Sequence, residues 1–262
     1  MNPPQIFDSL AEQYDDSFTR STIAQYLRGI VQARLERHFT SGMRMLELGC
    51  GTGEDALWLA NRGVSVIATD VSEGMLATTR TKCQHQPLIQ IERLDLRALP
   101  APHPSDALLD GIFSNFGPVN CLQEWDTLAA WSAQRVNTGG IVALGVMSPA
   151  CLWEPVWHGL HRNFKTATRR WRQNARFTLP DTPHPIPINY PSIRRIIRAF
   201  SPHFTLRFVR GIGLFLPPSD VYGVIEKRPR LLRLLLRLEE RFGGIRQLAL
   251  LADHYWIEFE RR

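Results

Sequence analysis

The sequence lacks the features that would mark a membrane-spanning, secreted or metal-stapled protein. No run of about 18 uninterrupted apolar residues occurs, so no spanning helix is expected. Only four cysteines (Cys50, Cys83, Cys121, Cys151) occur in 262 residues. None forms a C-x-x-C pair and none has metal-ligand spacing, which argues against a disulfide scaffold or a zinc module and fits a reduced, cytoplasmic setting. The opening MNPPQIFDSLAEQYDD is acidic and has no apolar centre, so it does not read as a secretory signal. No internal repeat is visible. What remains is a chain with 44% hydrophobic residues, ordinary for a globular core and long enough for one α/β domain with a cap.

Charge is unevenly spread. Residues 1–146 carry 11 Lys+Arg against 16 Asp+Glu, whereas residues 147–262 carry 20 against 9. The basic second part either faces something anionic (a phosphate- or carboxylate-bearing substrate, a membrane surface, nucleic acid) or solvates arginines on outer faces.

The densest information lies in residues 45–60, MLELGCGTGEDALWLA. An apolar run and Glu47 lead into three alternate glycines (Gly49, Gly51, Gly53), then into a helix-like stretch. Glycines there let a strand turn sharply into a helix and let backbone approach a ligand closely. Seventeen residues past Gly53 a second apolar run, VSVIATD, ends in Asp70. An acid at the end of a second parallel strand can accept hydrogen bonds from both hydroxyls of a ribose. The spacing is G-x-G-x-G and not the G-x-G-x-x-G of dinucleotide sites. A carboxylate two residues before the first glycine is poorly placed beside a pyrophosphate but suits a cationic amino-acid moiety. Cys50, inside the turn, reads as a small residue there and not as a nucleophile.

This segment resembles motif I of the class I S-adenosylmethionine-dependent methyltransferases, and VIATDVSEGML resembles the motif that follows it. The nearest likeness is to the small-molecule branch that includes the ubiquinone/menaquinone C-methyltransferases, over roughly residues 7–147. The resemblance implies S-adenosylmethionine as cofactor. It places Glu47, Gly49 and Gly51 (with Cys50 and Gly53 in the same turn) at the methionine end and Asp70 on the ribose. It also implies Val71, Ser72 and Met75 beside the adenine, and Asp95 with Leu96 at the adenine amino group. Tyr14 resembles an amino-terminal tyrosine that closes over the cofactor; packing is the other reading. Ser114 and Asn115 end a fourth strand, where methyl group and acceptor would meet. Amino-methylating relatives often carry Asn-Pro-Pro-Tyr there; this chain has Asn-Phe-Gly-Pro, which argues against base amino methylation.

The remaining pattern predicts a doubly wound, seven-stranded, mostly parallel sheet of the Rossmann-like methyltransferase kind. Strands are expected at 45–48, 64–69, 87–94, 108–114, 141–147, 204–210 and 254–260; the resemblance implies that the last is antiparallel and beside the sixth. Helices are expected at 21–39, 54–61, 72–84, 122–136 and after Ser192. One domain follows: a helical lid at 1–40, a cofactor-binding half at 41–147, and cap or substrate insertions at 148–190 and 211–250.

Methyl transfer from a sulfonium needs alignment more than acid or metal help, and positioning can supply on the order of 7–11 kcal/mol. The absence of a catalytic triad is therefore compatible with it. Trp153, Trp157, His158 and His161 recur at helical spacing. They either form an apolar acceptor pocket, with His158 or His161 taking a proton from a hydroxyl acceptor, or pack as a cap helix. No third ligand accompanies the histidines, so no metal is expected. In 230–242, RLLRLLLRLEERF, Arg230, Arg233, Arg237 and Arg241 share an arc of roughly 80° opposite the leucines. Such a helix either lies on an anionic membrane or packs its leucines inward.

The function expected is S-adenosylmethionine-dependent methyl transfer, by direct displacement, to a small, partly apolar acceptor. O- or C-methylation is preferred, with a lipid or isoprenoid-like acceptor if the membrane reading holds. The rivals are an RNA methyltransferase, which no appended RNA-binding module supports, and a non-catalytic cofactor-binding protein on the same fold.

Overall fold

The computed structural model describes residues 19–101, 107–171, 176–177 and 186–262. Ser21 caps the first helix, α1 (Thr22–Leu35), by accepting from the Ala24 N–H, and Ile23, Leu27, Val31 and Leu35 form its buried stripe. The chain then alternates strand and helix: β1 (Arg44–Leu48), α2 (Glu54–Ala60), β2 (Ser65–Asp70), α3 (Glu73–Lys82), β3 (Ile89–Arg93), β4 (Leu109–Ser114), α4 (Trp125–Ala133) and β5 (Val136–Met147). It continues through α5 (Trp153–Leu160), α6 (Ile193–Phe200), β6 (Phe204–Ile212), α7 (Pro229–Phe242) and β7 (His254–Arg261).

These strands form one seven-stranded sheet in the order β3-β2-β1-β4-β5-β7-β6. β1 to β5 pair in parallel, and β7 runs antiparallel between β5 and β6. The fold is the expected doubly wound α/β sheet. β7 pairs with β6, as the resemblance implies, and the tertiary structure seats it between β5 and β6. β5 starts five residues earlier than expected, because Val136 pairs with Leu109 ahead of a register shift.

Both faces of the sheet are covered, so the central strands read as nearly unbroken apolar runs. Along β7, Trp256 joins the core under α1, while Tyr255, Ile257 and Phe259 join the core under α4 and α6. Glu258 breaks the pattern on the α1 side. It is fully buried and receives Arg34 at 2.8 and 2.6 Å, Trp256 Nε1 at 2.7 Å and, at 2.9 Å, His38. Burial works against its charge, but these donors win and hold the carboxyl down to about 2.

Helix α7 turns Leu231, Leu232, Leu235 and Leu236 toward the core, whereas Arg230, Arg233, Arg237 and Arg241 are exposed. Its buried Glu239 accepts the backbone N–H groups of Gly213 and Phe215, fastening it to the end of β6. In α5 the tryptophans Trp153 and Trp157 pack against the α1-side core. Among the described residues no helix is long and apolar enough to cross a membrane.

The sheet order reverses between β1 and β4. Ligands of open α/β sheets bind in the crevice beyond the carboxyl ends of the strands at such a point, and a cavity opens there.

Candidate functional site

The cavity has a volume of about 550 Å³ and begins at the loop leaving β1. Gly49, Gly51 and Gly53 all have positive φ (74°, 55° and 81°). A side chain at Gly49 would strike Pro118 at 2.3 Å, whereas at Gly51 a Cβ would meet nothing within 4 Å. Gly51 therefore leaves backbone open to the cavity. Gly53 does not line the cavity; it lets α3 approach, with Thr79 2.7 Å from where a Cβ would be.

Glu47, near the end of β1, faces this loop and is 2% exposed. Its Oε2 has no hydrogen-bond partner among the described residues. Burial, then the charge of Asp55, push the carboxyl well above the ordinary value; Arg28 opposes them, Asp70 adds to the rise, and an Ala56 backbone bond lowers it. A buried, unpartnered carboxylate at a cavity wall calls for a cation from outside the chain.

Asp70 closes β2 and lines the same cavity. Its Oδ2 accepts the Gly51 N–H at 3.0 Å and its Oδ1 the Ser72 N–H at 2.9 Å. It thus orders the glycine loop from the end of β2. Val71, Met75, Leu94, Asp95 and Leu96 continue the wall, and Cys50 contributes to it. The Cys50 thiol is raised well above its ordinary value by burial and by Glu47, which leaves it inert as a nucleophile. Asp95 is held by Arg97 through Nε at 2.9 Å and Nη2 at 2.7 Å, and this bonding lowers its carboxyl.

Asn115 follows β4, and its side chain donates to Asp55 Oδ2 at 2.8 Å. Asp55 also receives Arg28 at 2.7 Å and Gln32 at 3.1 Å, so α1 is tied to the first turn of α2. Neither Arg28 nor Asp55 was singled out from sequence, although both line the cavity. The acid beside Glu54, one step past the glycine turn, was the available signal.

Several expected residues do other work. Ser72 is fully buried and caps α3 through Met75 N, outside the cavity lining. Ser114 donates to the Leu48 carbonyl at 2.7 Å and clamps β4 to β1. His158 and His161 do not line the cavity: His158 Nε2 lies 3.0 Å from Asp220, and His161 Nδ1 lies 2.7 Å from the Trp157 carbonyl. The reason is the orientation of α5, which spends its tryptophan face on the core. Tyr14 lies outside the described residues.

The imidazole that does line the cavity is His254, at the start of β7. It sits opposite Met147 in the β5–β7 register, with the Phe116 ring edge-on at 5.9 Å. Its Nδ1 is 3.0 Å from Asp253 Oδ2, without the alignment of a hydrogen bond, and Nε2 has no partner among the described residues. Asp253 is also bound by Arg170, which reaches Asp253 O at 2.7 Å, Ser148 O at 3.0 Å and Glu154 at 2.9 Å. Burial alone would raise the Asp253 carboxyl; His254 and Arg170 outweigh it and hold it well below the ordinary range. The Asp-His pair just ahead of the last strand was the signal in the sequence.

Each cation lining the cavity faces a carboxylate: Arg28 with Asp55, Arg97 with Asp95, Arg169 with Glu154, and Arg170 with Glu154 and Asp253. Among the described residues no group of three or more His, Cys, Asp or Glu could hold a metal ion.

Comparison with known proteins agrees with this geometry. Residues 45–140 match the family described as a methyltransferase domain. The demethylmenaquinone methyltransferase of Symbiobacterium thermophilum is 33% identical over 113 residues, 41% of this chain and 44% of that protein. The ubiquinone/menaquinone biosynthesis C-methyltransferase of Acidiphilium cryptum is 31% identical over 147 residues, 52% of this chain and 55% of that protein. The chain spans about half the length of these curated relatives. The crystal structure of an S-adenosylmethionine-dependent methyltransferase from Mesorhizobium loti superposes with a TM-score of 0.55 at 19% identity, covering 90% of this chain and all of that one, which shows a shared fold.

Proposed function

We propose that this chain is a class I S-adenosylmethionine-dependent methyltransferase that transfers a methyl group to a small, neutral, partly apolar acceptor at oxygen or carbon. The cofactor supplies an electrophilic methyl group on a sulfonium. The observation that carries the reading is the orphaned Oε2 of Glu47. The ammonium of the cofactor's methionine part is the cation this carboxylate lacks. Asp70 suits the ribose hydroxyls, and Val71, Met75 and Leu96 suit an apolar base.

The acceptor end is read from charge and surface. Arg169, Arg170, Glu154 and Asp253 compensate one another, so among the described residues no unpaired cation there awaits a phosphate and no unpaired carboxylate awaits an ammonium. Phe116, Met147, Ile188 and Tyr190 add apolar wall. The internal pairing of these arginines also counts against nucleic acid as acceptor, since backbone recognition needs cations free for phosphates.

Calorimetry with S-adenosylmethionine tests the cofactor site. Incubation with methyl-labelled cofactor and fractionated cell extract then identifies the acceptor by its mass gain of one methylene. Absence of binding heat would sink the reading.

For an apolar acceptor we propose delivery from an anionic lipid surface. Leu152, Val156 and Leu160 follow i, i+4, i+8 spacing on α5 and are 45%, 58% and 78% exposed; Phe164 and Trp171 are 66% and 61% exposed. Arg162 and Lys165 are exposed among them, and the acid of residues 152–171, Glu154, is buried. An apolar face with Arg162 and Lys165 among its exposed residues complements anionic headgroups.

A further inference from the structure

Helix α7 keeps its leucines for the core, so what it offers to the outside is its basic face. Arg230, Arg233, Arg237 and Arg241 are exposed there, and Lys227, Arg228 and Arg246 extend the exposed charge beyond both ends. At about 100° per residue Leu234 falls in the same arc, and it is 53% exposed. Residues 227–246 hold one exposed carboxylate, Glu240; the other acid, Glu239, is buried and bound to the backbone of Gly213 and Phe215. Elsewhere on the surface Arg62 meets Glu36, Arg80 meets Glu73 and Arg207 meets Glu260. The cations of 227–246 have no such partner among the described residues; Arg233 donates to the Pro229 carbonyl, and Arg241 lies 5.5 Å from the Phe242 ring centre. Like charges four apart on a helix repel one another and cost stability. A row of them left uncompensated points to an anion from outside the chain. The apolar residues among them select which anion. Nucleic-acid phosphates meet cations and polar donors, whereas Leu234, with Val224 and Ile245 each 38% exposed on either side of the helix in the chain, suits an acyl boundary beneath headgroups.

We propose that α7 docks this protein on an anionic phospholipid surface, with its arginines against the headgroups and Leu234 at the acyl boundary. The inference rests on the lipid-delivery reading and adds a second, electrostatic contact to the apolar face of α5. The two helices are joined through one wall of the cavity. Pro218, Ser219, Asp220 and Tyr222 line that wall, Asp220 lies 3.0 Å from His158 of α5, and the chain runs from Tyr222 to the start of α7 at Pro229. Both helices also pack on the α1-side core, α5 through Trp153 and Trp157 and α7 through Leu231 and Leu235, so both outer faces lie on that side of the sheet. Glu239 fastens α7 to the end of β6, so the row of arginines is held in place before any surface is met. Neither contact suffices alone: a single weak apolar anchor binds reversibly, and stable attachment takes a second signal such as a polybasic patch.

The test is sedimentation of the whole chain with vesicles of phosphatidylcholine alone, or of an equimolar mixture with phosphatidylglycerol, across a salt series. Wild type should sediment with the anionic vesicles only, and less as salt rises, because exposed charges are screened beyond about 8 Å at physiological ionic strength. Each basic residue near such a surface raises partitioning roughly fivefold, so Arg233→Gln with Arg237→Gln should weaken it by on the order of 30-fold. Arg233→Lys with Arg237→Lys keeps the charge and should restore most of the binding. Leu234→Ser should weaken binding while its salt dependence remains. These side chains do not line the cavity, so every variant should bind S-adenosylmethionine within about twofold of wild type. The glutamine variant should keep or raise the melting temperature, since like charges are removed. Unchanged sedimentation of the glutamine variant, equal binding to neutral vesicles, binding that salt does not weaken, or tighter binding to single-stranded RNA than to anionic vesicles would each overturn docking by α7. Lost sedimentation of Leu160→Ser with Phe164→Ser, beside an unchanged glutamine variant, would leave lipid delivery standing through α5 without α7. No sedimentation of wild type would overturn both.

Discussion

Replacing Glu47 by glutamine separates cofactor binding from stability, because the two should move in opposite directions. In the free protein the carboxylate is buried beside Asp55 and Asp70, and its pKa is raised well above the ordinary value. Raised means that the folded state holds a proton more tightly than the unfolded one. Ionised Glu47 therefore costs stability, and the cost grows as pH rises from the unfolded pKa through the folded one. Glutamine has the same shape and no charge, so Glu47→Gln should melt at a higher temperature than wild type at pH 7 without ligand. Binding should show the reverse. The cofactor's ammonium needs the carboxylate; losing one charge-assisted hydrogen bond costs about 2–3 kcal/mol, or roughly 30- to 150-fold in Kd. Wild-type binding should also release a proton wherever the pH lies below the raised pKa of the free protein and above the lower pKa of the ammonium-paired carboxyl. Calorimetry in two buffers of different ionisation enthalpy would read this as a buffer-dependent heat, absent in Glu47→Gln. If the variant bound S-adenosylmethionine within about twofold, the assignment of Oε2 to the ammonium would be wrong.

Three further outcomes follow from the same structure. Gly49→Ala should destabilise the fold by about 2–4 kcal/mol, combining positive φ with collision against Pro118. Gly51→Ala, with space around its Cβ, should cost only about 1 kcal/mol yet weaken cofactor binding; equal melting losses in the two variants would contradict the turn's geometry. The depressed carboxyl of Glu258 stabilises the fold above its ordinary pKa of 4.5, and that contribution fades as pH falls toward about 2. Discounted for screening around the partly exposed Arg34 and His38, it is worth ~2 kcal/mol; Glu258→Gln should therefore lose stability in urea at pH 7, and about half as much or less at pH 3. For the α5 face, Leu160→Ser with Phe164→Ser should abolish sedimentation with phosphatidylglycerol-containing vesicles, and no wild-type sedimentation, or concentration-dependent dimers instead, would refute the lipid surface.

The sequence by itself determined the parts whose physics is local. Strand and helix alternation follows from hydrophobic periodicity, and the glycine turn from backbone freedom at Gly49, Gly51 and Gly53. Asp70 is legible because a strand end and the turn before it lie close in the chain. The tertiary structure decided what depends on residues far apart. The wheel of α7 was legible, yet which face turns inward depended on Leu231 and Leu235 meeting the core. α5 offered two tryptophans and two histidines, and its rotation spent the tryptophans on packing, leaving His158 and His161 outside the cavity. The cavity received His254 instead, because the antiparallel insertion of β7 brings its first residue beside the end of β5. No spacing rule carries that contact: residues 116, 147 and 254 meet only through the order in which the strands pair.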